Sequence, residues 1–323
     1  MGGKQRHQLS IIGDVSVDLV LGPISGWPQV GTETIMERSE LRAGGSAANA
    51  ALAVNYLGGG SQLLSVVGND DAGAWLSGQL RVLGASLEVC DAPTTLSVGL
   101  IHSCGERTFF TTRGHLEKLS YGSLRARIAA APHPNSIVLL SGVFLTPALR
   151  ASYPQLIGDL QALGYQVALD TNWPPQDWSS AVRAEVAQWI SNSDHILLND
   201  LEVRSLADSQ DLNVAIERLG AMLRRGATLV VKIGARGAIG TQDGQRCECG
   251  APQATIFDTI GAGDSFNAGY LLARLNGAGL AEALSAGCNT ASSIISRFPR
   301  RLIGAGEFAG LRGFNPLAAV ERA

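Results

Sequence analysis

The chain has 323 residues and a formal net charge of −3 at pH 7. Hydrophobic residues make up 46% of it and charged residues 16%, a balance that excludes a disordered chain and indicates a folded globular protein. No block of Lys or Arg stands out, so the sequence offers no surface for nucleic acid or for an anionic membrane. The longest apolar runs are too short to span a bilayer. Five scattered cysteines favour a reducing cytoplasm.

Short apolar runs alternate with helix-length amphipathic stretches along most of the chain, beginning with the strand-like LSIIG at 9–13. Further strands are predicted at 136–142, 165–170, 195–199 and 228–234, and helices at 147–163, 179–190, 212–225, 264–275 and 280–297. This alternation predicts an α/β fold whose mainly parallel sheet is covered by helices on both faces. Ligands of such folds bind beyond the carboxyl ends of the strands. No linker divides the chain, so a single domain, 1–323, is predicted.

Two segments, 19–42 and 95–113, depart from this alternation. The first has several Gly and Pro residues between β-like pieces, and the second has two strand-like pieces around a Cys-Gly-Glu turn. Together they are expected to form a small separate sheet against the α/β body. Such a sheet could be a lid that excludes water from a cleft, or an edge hairpin without a moving role.

The stretch DTIGAGDSFNAGY at 258–270 has the most distinctive chemistry. Gly261, Ala262 and Gly263 lie just ahead of an apolar helical run, where backbone N–H groups and the helix dipole can hold an anion such as a phosphoryl group. Asp264 lies in the first turn of that helix, where its carboxylate can accept a proton from an attacking hydroxyl. The same residues also fit an ordinary loop in which Asp264 is a helix N-cap.

The whole stretch resembles the carboxy-terminal signature of the ribokinase-like (PfkB) carbohydrate kinase family, Asp-Thr-x-Gly-Ala-Gly-Asp-x-x-x-Ala-Gly, without a gap. Four further segments resemble elements of that family and occur in its order: AGGSAANAA at 43–51, GNDDAG at 68–73, NDLE at 199–202 and KIGARG at 232–237. The resemblance spans residues 11 to about 297. It implies a three-layer αβα sandwich with a small β-sheet lid, and transfer of the γ-phosphoryl group of ATP to an alcohol group of a sugar.

The resemblance also implies roles for single residues at the acceptor end. Asp264 is expected to be the general base, with the three residues before it as the anion hole. The acceptor pocket is expected to contain Asp18, Gly44, Gly45 and Asn49. Arg107 in the lid is either a solvated charge or a group that holds an anionic part of the acceptor.

At the other end, the resemblance implies that Asn199 and Glu202 organise Mg2+, largely through water, which suits a small ion that keeps its hydration shell. Lys232 either reaches solvent from the end of a buried strand or contacts a nucleotide phosphate. Asp258 lies near the position where many members of the family bind a monovalent cation such as K+. The adenine nucleotide is expected to be bordered by Asn199, Gly234, Arg236, Gly237 and Asn289.

The identity of the acceptor stays open among several alternatives. Residues 169–174 resemble an Asp-x-Asn-x-Arg element of fructokinase-like and sugar-acid kinases, but Pro174 stands where the Arg would help to bind a carboxylate. A neutral sugar is therefore favoured, with a nucleoside second and a non-catalytic sugar- or nucleotide-binding protein third. The lid resembles the sheet that often forms the dimer interface in the family, so a homodimer through the lid is expected.

Other functional motifs are missing from the sequence, among them the P-loop, the dinucleotide-binding glycine pattern and the usual hydrolase and zinc-protease motifs. Cys247-Glu-Cys249 has no second pair of ligands nearby, so a strand or loop is predicted there instead of a zinc site. His102 and His115 lie in or beside the lid, where they either touch the substrate or lie at the surface, and the surface is the favoured placement.

Overall fold

The computed structural model describes residues 8–296. The strands of this part of the chain form two sheets. In chain order they are β1 (Leu9–Gly13), β2 (Ser16–Ile24), β3 (Arg38–Gly44), β4 (Ser61–Gly68), β5 (Ser86–Cys90), β6 (Leu96–His102), β7 (Arg107–Thr111), β8 (Ile137–Ser141), β9 (Gln166–Asp170), β10 (His195–Asn199), β11 (Thr228–Lys232), β12 (Ala238–Gln242) and β13 (Gln245–Cys249).

The large sheet has the order β13-β12-β11-β10-β9-β8-β1-β4-β5 over the described residues. Its strands from β11 to β5 are parallel, and β12 and β13 extend it as an antiparallel edge. Strands such as β1 and β8 are buried along their whole length, as expected for a sheet covered on both faces. The mainly parallel sheet predicted from the sequence is confirmed, and the Cys247–Cys249 segment lies in β13 as an ordinary strand.

Helices cover both faces of the large sheet and complete the three layers. They are α1 (Ser46–Tyr56), α2 (Asp71–Leu80), α3 (Tyr121–Arg125), α4 (Pro147–Arg150), α5 (Tyr153–Ala162), α6 (Ser180–Ser191), α7 (Asp200–Leu206), α8 (Leu212–Gly220), α9 (Ala262–Leu275) and α10 (Leu280–Ile295). One hydrophobic core joins the sheet to α1, α2, α9 and α10, and a second joins the opposite face to α3 through α8. Within residues 8–296, no helix is long and apolar enough to cross a lipid bilayer.

One predicted helix, 147–163, is divided into α4 and α5. Pro154 explains the division, because it has no N–H to donate to the Arg150 carbonyl four residues earlier, and in the first turn of α5 it needs no such donor. The predicted helix 280–297 corresponds to α10, and its last predicted residue lies outside the described part of the chain.

The small sheet has the order β3-β2-β6-β7 and packs over one edge of the large sheet; we call it the lid. Its first two strands extend beyond the predicted segment 19–42: β2 already begins at Ser16, and β3 continues to Gly44. His115 lies at its base and is fully buried, not at the surface as expected. Its Nδ1 accepts a hydrogen bond from the Thr95 N–H at 2.9 Å, and its Nε2 lies 3.0 Å from the Val15 carbonyl. This histidine therefore ties the lid to the body.

Candidate active site

The candidate site lies at the edge of the large sheet where the parallel strands end. Strands β1, β8, β9, β10 and β11 all present their carboxyl ends there, and a cleft of about 1130 Å³ separates this edge from the lid. Residues at or just after the strand ends line it: Asp14, Gly142, Asp170, Asn199 and Lys232. Polar groups far apart in the sequence therefore meet because the strands run in parallel.

The floor of the cleft is the N-terminus of α9. Gly261 has a φ of 69° and caps this helix, a left-handed conformation that favours glycine. The first N–H groups of a helix have no partner within it. The Ala262 N–H donates to the Thr259 carbonyl at 3.2 Å, and those of Gly263 and Asp264 are suited to an anion. A Cβ on Gly263 would lie 3.5 Å from Lys232 Nζ, which places that ammonium group beside the cradle. The sequence-predicted anion hole and its neighbouring aspartate thus line one cleft.

Asp264 is only 8% exposed although it faces the cleft. Its Oδ2 accepts a hydrogen bond of 3.0 Å from Asn49 Nδ2, so a residue predicted for the acceptor pocket holds the predicted base. Burial and the charge of Asp170 together raise the pKa of Asp264 to about 7, against the Asn49 hydrogen bond, which lowers it. A carboxylate with a pKa near neutral is suited to general base catalysis.

A buried cluster beneath Asp264 was missed by the sequence analysis. Lys232 Nζ lies 2.7 Å from Asp170 Oδ2 and 3.3 Å from Asn267 Oδ1, and Asn267 Nδ2 donates to the same Asp170 oxygen. Burial lowers the pKa of Lys232, but Asp170 and Glu202 outweigh burial and raise it, so the ammonium stays charged. Lys232 therefore lines the cleft instead of reaching bulk solvent. The signals were Asp170 at the end of a predicted strand and Asn267 inside the 258–270 stretch.

The lid supplies the other wall of the cleft. Asp18 on β2 is 6% exposed, and its Oδ1 accepts a 2.7 Å hydrogen bond from Ser16 Oγ. A Cβ on Gly44 would lie 2.0 Å from this carboxylate, so glycine at that position makes room for Asp18. Gly45, with a φ of 92°, lines the cleft at the start of α1. Arg107 on β7 reaches across the cleft, and its Nη1 donates to Thr259 Oγ1 at 2.6 Å.

The opposite end of the cleft contains most of the residues predicted for the nucleotide. Asn199 and Glu202 line it, as do Gly234 and Gly237. Two predicted positions do not. Arg236 is exposed and does not line the cleft, and Asn289 Nδ2 lies 3.4 Å from Ser285 Oγ, one position away from the lining residue Cys288. Because α10 turns by about 100° per residue, Cys288 faces the cleft and Asn289 does not.

The residues predicted for Mg2+ fit an ion that keeps its water. Asn199 Oδ1 accepts from the Glu202 N–H at 2.9 Å, and Glu202 Oε2 accepts from the Asn199 N–H at 2.8 Å, which fixes the carboxylate at the cleft wall. Burial and the charge of Asp170 raise the pKa of Glu202 to about 7. Within residues 8–296, no group of three or more His, Cys, Asp or Glu side chains could hold a metal ion directly. Contact through water suits this donor set, because Mg2+ usually keeps several of its water molecules.

Asp258 does not fit a monovalent cation. Its side chain is 2% exposed and does not line the cleft, and its Oδ2 accepts from Arg38 Nη2 at 2.8 Å and from Arg42 Nη2 at 3.1 Å. Its Oδ1 accepts from the Ile260 N–H at 3.0 Å. Because the guanidinium groups of Arg38 and Arg42 already pair with this carboxylate, they would repel an added cation there.

The fold is the ribokinase-like sandwich with a lid. It superposes on ribokinase from Thermotoga maritima with a TM-score of 0.73 over 94% of this chain and 99% of that one, at 19% identity. The sequence matches the pfkB family carbohydrate kinases over residues 6–299. This chain therefore belongs to the pfkB family of carbohydrate kinases.

Two curated relatives show how this chain compares within the family. It is 31% identical to 2-dehydro-3-deoxygluconokinase of Dickeya dadantii over 209 residues, which cover 59% of this chain and 64% of that enzyme, slightly less than two thirds. It is 30% identical to a fructokinase of Klebsiella pneumoniae over 253 residues, which cover 75% of this chain and 80% of that enzyme. These relatives are named for a sugar acid and for a neutral sugar, so the family alone does not decide the acceptor.

Proposed function

We propose that this protein is an ATP-dependent carbohydrate kinase that transfers the γ-phosphoryl group of ATP to an alcohol group of a neutral sugar. The observation that carries the proposal is the position of Asp264, which lies in the first turn of α9, beside the anion cradle, and accepts a hydrogen bond from Asn49. The names of the curated relatives support the same activity.

In this mechanism the acceptor hydroxyl lies between Asp18 on the lid and Asp264 on α9. Asp264 takes the hydroxyl proton while the acceptor oxygen bonds to the γ-phosphorus and the bond to the bridging oxygen of ADP breaks. The N–H groups of the first turn of α9 and the Lys232 ammonium stabilise the charge on the transferring phosphoryl group. Mg2+, held through water by Asn199 and Glu202, would neutralise phosphate charge.

The charges of the acceptor end support a neutral acceptor. Carboxylates of Asp18 and Asp264 face it, and Glu106 lines the cleft from the lid. The cationic side chain there, Arg107, is exposed and is already hydrogen-bonded to Thr259. Pro174 stands at the position where the Asp-x-Asn-x-Arg element has the Arg that would bind a carboxylate. A sugar acid would therefore meet repulsion from like charges, whereas hydroxyl groups would find acceptors for their hydrogen bonds.

A nucleoside is the second candidate, and one feature favours it. The acceptor end also has an apolar wall formed by Leu116, Phe144, Leu145 and Trp173. Such a wall could pack against a base attached to a ribose. A sugar without an apolar substituent would leave this wall in contact with water.

The test is ADP release by the purified protein with Mg-ATP and a panel of neutral sugars, sugar acids and nucleosides. We expect turnover with a neutral sugar, and a loss of about 100- to 10,000-fold in Asp264→Asn, since general base catalysis contributes that much. Asp243→Asn, an exposed aspartate of the β12–β13 turn, is the matched control. Wild-type turnover in Asp264→Asn would refute the role of this residue. Binding of sugar and nucleotide without turnover would indicate the non-catalytic alternative.

We also propose that two copies associate through the lid. Large apolar side chains of the lid and of its 25–37 connection are exposed: Trp27, Val30, Ile35, Leu41 and Phe110. Exposed apolar patches of this kind commonly mark protein interfaces. A second copy is favoured because it would present the same apolar patch.

A further inference from the structure

Two arginines of the lid meet one carboxylate of the loop that leads into the anion cradle. Arg38 and Arg42 lie on β3, and Asp258 lies three residues before Gly261. The side chains are 15%, 14% and 2% exposed, respectively. The contact joins parts of the chain that are 220 and 216 residues apart. It therefore belongs to the buried seam between lid and body.

The sequence of β3 explains why both guanidinium groups point the same way. Side chains two residues apart lie on the same face of a strand, so Arg38, Glu40 and Arg42 form one row. Glu40 accepts from Arg38 Nε with one oxygen, and its other oxygen lies 2.9 Å from Arg42 Nε. Arg38 also stacks on Phe257, with its guanidinium carbon 4.1 Å from the ring centre. Each guanidinium group is thus held by more than one contact.

Among the residues that the structure describes, the charges of this cluster are balanced. Arg38 and Arg42 carry two positive charges, and Glu40 and Asp258 carry two negative ones. A further cation at Asp258 would be unfavourable in a site this well buried, because its attraction to the carboxylates is offset by repulsion from both guanidinium groups.

The Asp258 carboxylate also fixes the turn at 258–261, which leads into α9 and is called the catalytic loop. Asp258 Oδ1 accepts from the Ile260 N–H at 3.0 Å, which turns the chain toward Gly261. The two arginines pair with Asp258, and Asp258 accepts the hydrogen bond that stabilises the turn. That turn sets the position of the first residues of α9. Arg38 and Arg42 are in this sense positioning residues, since they do not touch the acceptor or the transferring group.

We propose that Arg38 and Arg42 take the place of a bound monovalent cation, so that the phosphoryl-transfer site of this protein is complete without K+. The inference rests on the proposed kinase function, because turnover is one of its two readouts. The arginines belong to the lid, so the positive charge comes with the lid itself and not from solution. Phosphoryl transfer should consequently depend on the lid sequence and not on the monovalent salt.

The first experiment compares the wild-type protein in K+, Na+ and N-methyl-D-glucamine chlorides at equal ionic strength. We expect kcat to agree within about twofold, since screening is the same at equal ionic strength and no step needs a particular monovalent ion. The second readout needs no substrate: the melting temperature should be the same in the three salts within about 1 °C, because no ion binds the folded state selectively. Activation of the wild type by K+ of about tenfold or more, or a rise in melting temperature of about 3 °C in K+ alone, would overturn the proposal.

The second experiment removes both guanidinium groups from Asp258 with Arg38→Met/Arg42→Met. We expect kcat to fall about 10- to 100-fold in N-methyl-D-glucamine, since a misplaced loop costs that much, and K+ to restore at least part of it. Arg42→Lys keeps a positive charge and should stay independent of K+. Arg113→Met, at a lid arginine whose side chain is 91% exposed, is the control and should behave as the wild type.

The two hypotheses fail separately. If no acceptor is phosphorylated in any salt, the kinase proposal fails, and the melting temperatures still decide whether K+ binds. If turnover is present but requires K+, the kinase proposal stands and the arginine proposal fails. If the double variant does not fold, the comparison of salts on the wild type and on Arg42→Lys decides.

Discussion

At the scale of residues, the site depends on carboxylates that are buried close together. Asp264 and Glu202 both have a pKa of about 7, because both are buried and both face the charge of Asp170. Lys232 compensates only part of this charge, and it pairs most closely with Asp170. The Asn49 hydrogen bond lowers the pKa of Asp264 and so opposes burial. The protonation of Asp264 is therefore set by its neighbours and not by its residue type.

This arrangement predicts the pH dependence of turnover. Asp264 acts as a base only when it is deprotonated, and its pKa is raised, so activity should be present above pH 7 and lost as the pH falls through it. We expect kcat/KM to drop about tenfold per pH unit below the pKa of about 7. Measuring kcat/KM between pH 5 and 9 checks this, at about half-unit steps. An acid limb near pH 4 would contradict it.

The variant Asn49→Ala tests whether the acid limb of the kcat/KM profile belongs to Asp264. Asn49 donates its hydrogen bond to Asp264 and not to Glu202, so its removal should move the limb to higher pH. A limb that stays in place while kcat falls would show that Asn49 acts on the acceptor alone.

At the scale of elements, close approaches of backbone and side chain shape the acceptor pocket. The end of β3 lies against β2, so that Gly44 pairs with Ser16, and the Asp18 carboxylate occupies the space a Cβ on Gly44 would need. At the other end of the pocket, Asp14 accepts hydrogen bonds from the Ser46 and Ala47 N–H groups at the start of α1. The strand ends and helix starts are thus fixed by their polar partners.

Gly44→Ala tests this close approach. The new methyl group would displace the Asp18 carboxylate and break its hydrogen bond with Ser16. We expect the KM of the acceptor to rise about 10- to 100-fold, with a much smaller change in the KM of ATP, because a lost acceptor hydrogen bond costs that much. The control is Gly78→Ala, in α2, where a Cβ would meet nothing within 4 Å. It should leave both constants unchanged, and an unchanged acceptor KM in Gly44→Ala would remove Asp18 from the pocket.

At the scale of the whole molecule, the lid contributes residues to the cleft, to the loop before α9 and to the proposed dimer interface. It contributes Asp18 and Arg107 to the cleft, and Arg38 and Arg42 to the catalytic loop. Its buried base is tied to the body by His115. Its exposed side carries large apolar residues, of which Val30 is 99% and Ile35 91% exposed. If a second copy covers this side, the sheet that forms the dimer interface is also the sheet that holds the loop 258–261.

Association through the lid makes a simple prediction about mass. In size-exclusion chromatography with light scattering, the wild type should have twice the chain mass of 33.7 kDa at micromolar concentration. Val30→Asp/Ile35→Asp should reduce it to one chain mass without loss of fold, because both side chains are exposed. Leu163→Asp, which changes an exposed leucine of the body, is the control. A wild type of one chain mass would contradict the proposal.

The sequence by itself determined most of the alternation of strands and helices from residue 136 onward, the mainly parallel sheet and the family, and it placed Gly261 to Asp264 at the start of a helix. These depend on local patterns: strand β10 lies at the predicted 195–199, and the 258–270 stretch contains both the cradle and Asp264. The tertiary structure alone decided which distant groups meet. It brought Asp170 to Lys232, Arg38 and Arg42 to Asp258, and buried His115. Such contacts depend on packing between segments far apart in the chain, about which neighbouring residues carry no information.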